Sequence, residues 1–206
     1  MKNNVELRAF NFEVRAEENE DHGHILTGRP IVYDARTDLG WYDEIIEAGA
    51  LTDTDLRDVR FLVNHNTDMI PLARSRNNNE NSTMQMSIDE GGMAIRVDLD
   101  VENNADAKNL YSAVSRGDID GMSFMFTVDG DKWDEKESEH PTRTITAIGK
   151  VLEVSAVTFP AYKQTSIQAR GLDSALDNAK SSLESARAEA RAIERKKQKI
   201  RIIAEV

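Results

Sequence analysis

A chain of 206 residues and 23.1 kDa, with 39% hydrophobic and 31% charged residues, is long enough for one well-buried domain and a small appendage. Its 37 acidic against 26 basic residues give a formal charge of -11, which repels phosphate backbones and argues against nucleic acid as a partner. The absence of cysteine excludes disulfides and thiol chemistry and suits a reducing compartment, and no hydrophobic run exceeds three residues, where a membrane span needs ~20 and a secretory h-region ~7–15.

In chain order, short apolar or period-two segments separated by polar turns predict strands over residues 5–14, 24–32, 92–101, 121–128, 142–152 and 153–159. Residues 54–61 predict a short helix. Residues 105–115 predict a second, since Ala105, Leu110 and Val114 sit among good helix formers and Asn104 is placed to cap it. Residues 74–83, where the asparagines from Asn77 to Asn81 are interrupted only by Glu80, and residues 129–141 are polar enough to be loops. No internal repeat is found. The pattern is that of an α+β domain, strand-rich, with a β-barrel or curled sheet at its core.

The composition changes at Gly171. Residues 1–170 hold 18 basic and 31 acidic residues, whereas 171–206 hold 8 and 6, with Arg191, Arg195, Lys196, Lys197, Lys199 and Arg201 gathered around the single acid Glu194. From Leu172 onward there is neither Pro nor Gly. Apolar residues at Leu172, Leu176, Ala179, Leu183, Ala186, Ala190, Ile193 and Ile200 step by three and four, with Lys197 breaking the stripe, so this segment predicts a helix. It either lies on its own body or docks on another chain. The expected domains are therefore a body, 1–170, and a basic helical tail, 171–206.

Among the four histidines, His22 and His24 flank a glycine in an acidic turn and His140 precedes Pro141 in a charged loop. With Asp21, the first two could gather a cation, but they read better as a solvated hairpin tip, so no metal site or cofactor is expected. His65 follows the apolar run Phe61-Leu62-Val63 and stands where a buried segment opens into a polar loop. Ser123, in Gly121-Met122-Ser123-Phe124-Met125-Phe126, is a hydroxyl on the strand face opposite Met122, Phe124 and Phe126. Glu153 lies in the most apolar stretch, Val151 to Val157, and a carboxylate there needs a partner. A structural ion pair with Arg74 or Arg143 would supply one. A hydroxyl nucleophile, an imidazole base and a carboxylate that orients it are also the components of acyl transfer. Ser155, two residues from Glu153 on the same strand side, is a rival nucleophile.

The strings Val63-Asn64-His65-Asn66, Pro71-Leu72-Ala73-Arg74, Gly121-Met122-Ser123-Phe124, Leu152-Glu153-Val154-Ser155 and Thr158-Phe159-Pro160-Ala161-Tyr162, close before Thr165, occur in an order and at separations that resemble the prohead proteases of HK97-type tailed phages, from about Phe12 to Arg170. The resemblance implies an assemblin-like β-barrel ringed by helices, as in herpesviruses, and a cofactor-free serine endopeptidase with Ser123 as nucleophile, His65 as general base and Glu153 as third member. Its substrates would be scaffold protein or the scaffolding segment of the major capsid protein, together with its own terminus, inside the immature capsid in the host cytoplasm. The assemblin relation also implies self-association. No nucleic acid or membrane partner is implied. Ala73 departs from the glycine frequent in the family's Pro-hydrophobic-Gly-Arg stretch. The alternative reading is a non-catalytic capsid-assembly or scaffolding module, in which the three residues are structural.

Overall fold

The structure, a computed structural model, describes residues 5–10, 14–19, 23–159 and 169–204, which form eleven strands and two helices. The strands of the first half are β1 (Val5–Phe10), β2 (Val14–Asn19), β3 (Gly23–Val32), β4 (Thr37–Asp38), β5 (Asp43–Ile46), β6 (Asp58–Val63) and β7 (Ala73–Arg76). After β8 (Met84–Asp89) and β9 (Gly92–Leu99) come helix α1 (Ala105–Ser115), the long strands β10 (Gly121–Asp134) and β11 (Thr142–Val157), and helix α2 (Ala169–Ala204).

One sheet runs β1-β10-β11-β5-β4 and the other β2-β3-β9-β8. β11 organises the first. It pairs antiparallel with β10 along its length, parallel with β5 through Thr142–Ile145, and parallel with β6 through Glu153–Ala156; β6 then pairs with β7. Strand alternation fills the space between the sheets: Met122, Phe124, Phe126, Val151, Val154 and Ala156 from one meet Leu26, Ile31, Met93 and Val97 from the other, all buried in one cluster. The expected α+β class with a C-terminal helix is therefore observed. The expected barrel is not: among the described residues the strands remain two sheets, and two helices stand where a ring was expected.

Helix α1 starts where Asn104 was expected to cap it, its side-chain oxygen accepting from the backbone N–H groups of Asp106 and Ala107. Ala107, Leu110 and Val114 form its buried stripe against the smaller sheet. Other boundaries move. The segment expected as one strand over 5–14 contributes to two strands in different sheets, and the two expected over 142–159 are one continuous β11. The expected helix at 54–61 is not formed and its second half is β6, because Val59 and Phe61 are needed in the core and the backbone pairs with β11. β7 takes up the start of the expected loop 74–83, and β10 runs on to Asp134.

Beneath α2 lies a cluster of buried charges. Arg8 donates to both Glu6 (2.6 Å) and Glu44, while Arg143 donates to Glu6 (2.8 Å), Glu44 (3.3 Å) and Asp131 (2.6 Å). Burial disfavours the Arg8 charge, but Glu44, Tyr42 and Glu6 outweigh it and hold its pKa above the ordinary range. Burial also pushes the Tyr42 phenol up to about 12. Asp131 accepts from Ser182 of α2 (2.7 Å), and Trp133 donates its indole N–H to the same serine (3.0 Å). Ala179 and Leu183 close over Tyr42 and Trp133 in a second apolar cluster. The first half of α2 thus lies on its own body, whereas every residue from 188 to 200 is exposed, including Ile193 and Ile200.

Exposed carboxylates on the body also have arginine partners. Asp89 is pushed down to about 2, chiefly by hydrogen bonds from Arg29 (2.6 Å), and Asp58 is lowered by Arg74. A carboxyl with a lowered folded pKa contributes stability above its ordinary value of about 3.9 and loses it as pH falls through the folded value. The melting temperature is therefore expected to drop as pH falls from about 4 to about 2, with a shallower drop in Asp89→Asn; thermal melts across that range check both.

Candidate active site

The site is built where β6, β10 and β11 run side by side. Ser123 and Ser155 are direct cross-strand partners, as are Phe124 and Val154, in a stretch of regular register. Phe124 and Val154 face the core, so Ser123 and Ser155 leave the opposite face together, with Cβ atoms about 4.5–5.5 Å apart as the strand spacing requires. Glu153, two residues before Ser155, shares that face. All three are buried, Glu153 at 3% exposure and both serines at 0%.

His65 arrives from β6. Asn64 donates its backbone N–H to the Ala156 carbonyl (3.0 Å), which extends the β6–β11 pairing, and the chain then turns through two consecutive positive φ values, +52° at Asn64 and +56° at His65. Left-handed backbone at a non-glycine residue costs on the order of 1–3 kcal/mol and persists only where its surroundings hold it. Here they do. The Asn64 side chain donates to the Thr158 hydroxyl (3.0 Å) and accepts from the Thr158 backbone N–H (2.9 Å), and the His65 backbone N–H donates to Ser155 Oγ (3.2 Å).

The turn delivers the imidazole to the carboxylate. His65 Nδ1 lies 2.6 Å from Glu153 Oε1. A carboxylate can only accept, so Nδ1 carries the proton and Nε2 presents its lone pair. Nε2 is buried and has no hydrogen-bond partner among the described residues. The second Glu153 oxygen accepts from Ser155 Oγ at 2.5 Å. The partner of the buried Glu153 is therefore His65 rather than the arginine a structural pair would require: Arg74 is bonded to Asp58 and Arg143 to the Glu6 cluster.

Ser123 stands on the same face, but its hydroxyl is turned away from the imidazole and donates to the Arg8 carbonyl of the neighbouring β1 (2.6 Å). Ala73, where a glycine was expected, lies in β7 opposite Phe61 at 4% exposure and outside the positive-φ residues, so its methyl group is accommodated in a strand. Pro160, Ala161, Tyr162 and Thr165 fall outside the described residues, as does His22. Of the expected hairpin-tip pair, His24 packs edge-on against Tyr111 at 4.6 Å. A set of donor atoms from Asp38, Asp43 and His140 lies within 4.8 Å, at the Thr142 end of β11 remote from Glu153, where Asp43 already pairs with Arg36 and His140. Clefts of 440 and 310 Å³ beside α2 include none of Ser123, His65 and Glu153.

An imidazole held by a buried carboxylate beside strand hydroxyls is equipment for acyl transfer, the chemistry of serine hydrolases. Residues 10–179 match the family model of caudovirus prohead serine proteases, and the chain belongs to that family. The backbone is similar to that of the bacteriophage T4 capsid assembly protease, with 10% identity, a TM-score of 0.38, and coverage of 74% of this chain and 98% of that one. No curated protein matches the sequence significantly. Among the described residues, no helix is long and apolar enough to cross a membrane.

Proposed function

We propose that this serine protease matures proheads, cutting scaffold protein or the scaffolding segment of the major capsid protein, and its own terminus, inside the immature capsid within the host cell. The observation that carries the proposal is the Nδ1-bound His65–Glu153 pair on the face of Ser123, with Nε2 unclaimed. Ser123 is the nucleophile, His65 the general base and Glu153 the group that fixes the tautomer and stabilises the imidazolium.

For reaction, the Ser123 hydroxyl leaves the Arg8 carbonyl by rotation about χ1 and turns its proton to Nε2. As Oγ attacks the scissile carbonyl carbon, that proton passes to Nε2, and the imidazolium then gives it to the leaving amine as the C–N bond breaks. Water releases the acyl group by the same route, and Ser123 regains its proton. A resting hydroxyl bonded to a backbone carbonyl is a weak nucleophile, which fits an enzyme that must stay quiet until its substrate is assembled around it. Packaging inside a capsid raises substrate concentration without any new contact.

The projecting half of α2 fits the part of a tether. Its cluster of six basic residues opposes an acidic body and would suit an acidic scaffold surface, and its separation from the core makes the end accessible to cleavage. The body is taken as 1–170 and the helical tail as 171–206, with the projecting part beyond residue 187 as the stretch open to removal. Deletion of residues 188–206, which leaves the packed half of α2 over Tyr42 and Trp133, is expected to lower incorporation into proheads; unchanged incorporation would rule out tethering. The enzymatic proposal is tested by co-producing the chain with its phage's capsid and scaffold proteins. Wild type is expected to shorten them and Ser123→Ala to leave them whole. Intact substrates in both cases would favour an assembly role instead.

A further inference from the structure

Ser155 is the one buried hydroxyl at the site that this mechanism leaves without a task. Its Oγ donates to Glu153 Oε2 at 2.5 Å and accepts the His65 backbone N–H at 3.2 Å, and it makes no hydrogen bond to the imidazole ring. We propose that Ser155 is a positioning residue, a bridge that fixes the carboxylate and the backbone of the base to each other; this inference rests on the triad reading above.

The argument is one of orientation. A glutamate carboxylate on a flexible stem has two equivalent oxygens, and one hydrogen bond to an imidazole leaves it free to pivot. In this site Oε1 is held by Nδ1–H and Oε2 by the Ser155 O–H, so the plane of the carboxylate is set at both ends. The other half of the bridge acts on the main chain. His65 sits at φ +56°, and its N–H would be an unpaired donor in a half-buried turn without the Ser155 oxygen. A single hydroxyl therefore resists both ways in which the Nδ1–Oε1 contact could open. Its place on strand β11, two residues from Glu153 on the same face, makes the bridge a consequence of strand geometry.

The same bonds separate Ser155 from the nucleophile. Its proton is committed to a carboxylate on the Nδ1 side of the ring, whereas a nucleophile must deliver its proton to Nε2. The hydroxyl of Ser123, the cross-strand partner of Ser155, makes no bond to that carboxylate and, among the described residues, only one, to the Arg8 carbonyl.

The test compares wild type, Ser155→Ala and Ser155→Thr in the full chain, with two readouts. The first is the far-downfield proton resonance of the Nδ1–H bond to Glu153; the second is the rate of covalent labelling by a fluorophosphonate, with the labelled residue mapped by mass spectrometry. Ser155→Ala is expected to broaden or lose the resonance and slow labelling about tenfold, still on Ser123, at an unchanged saturation concentration. Ser155→Thr, which keeps a hydroxyl, is expected to restore both. A resonance and rate within twofold of wild type in Ser155→Ala would overturn the bridge while leaving the triad intact. Labelling of Ser155 itself in wild type would overturn the triad assignment along with the bridge.

Discussion

Ser123→Ala is expected to lower the rate of peptide-bond cleavage by about 10⁶-fold, to the background set by substrate binding, while the fold stays intact. His65→Ala is expected to lose about as much, and the double variant no more than either single one, because nucleophile and base act as a unit. This non-additivity distinguishes a catalytic pair from two structural residues, whose losses would sum. The change at Ser123 removes one hydroxyl and its bond to the Arg8 carbonyl, a contact worth about 1 kcal/mol, so thermal melts should barely move. Single-turnover cleavage of capsid or scaffold protein by the three variants, read beside their melting curves, gives the comparison.

Arg143→Ala is expected to have the largest effect on stability. The wild-type cluster sets Arg8 and Arg143 against Glu6 and Glu44, all four at 3% exposure or less, with Asp131 at its edge. Removing Arg143 strands carboxylate charge where water cannot reach it, a loss of about 3–5 kcal/mol. For a domain of this size that lowers the melting temperature by roughly 10 °C or more. Adding Glu6→Gln to Arg143→Ala should recover part of the loss, since it withdraws one of the uncompensated charges. A purely local role for Arg143 predicts no recovery. The cluster also bears on the site, because Arg8 presents its side chain to Glu44 and its carbonyl to Ser123. Loosening β1 should therefore alter the resting state of the nucleophile as well as the stability.

The elements that could be read from sequence are those whose signal is local. Asn104 and the apolar Leu110 and Val114 among good helix formers define α1 within a dozen residues, although Ala107 rather than the expected Ala105 completes its buried stripe. The alternation of Met122, Phe124 and Phe126 fixes which way Ser123 points. The segment 54–61 misleads because its strand character comes from pairing with β11, more than ninety residues away in sequence. The charge cluster was equally hidden. Glu6 and Arg8 alternate like the polar face of a surface strand, and nothing nearby shows that α2, Tyr42 and Trp133 cover them.

The site divides along the same line. Glu153, a carboxylate in an apolar run, declares that it has a partner, and the apolar approach to His65 declares a buried edge, but only the fold brings the two within 2.6 Å. Asn64 gives one legible hint of the turn, since asparagine tolerates the left-handed region better than most residues. Ser155 could be seen on the side of Glu153 but not in its role, which depends on the backbone of His65 and so on the β6–β11 pairing.

The most direct test of the central claim is the site of adduct formation. Purified wild-type chain and His65→Ala are treated with a fluorophosphonate, which reacts with an activated serine by forming an Oγ–P bond and expelling fluoride, and the modified peptide is identified by mass spectrometry. The account predicts one adduct, on Ser123, in wild type and none in His65→Ala. An adduct on another serine, or labelling of Ser123 that persists without His65, would contradict it.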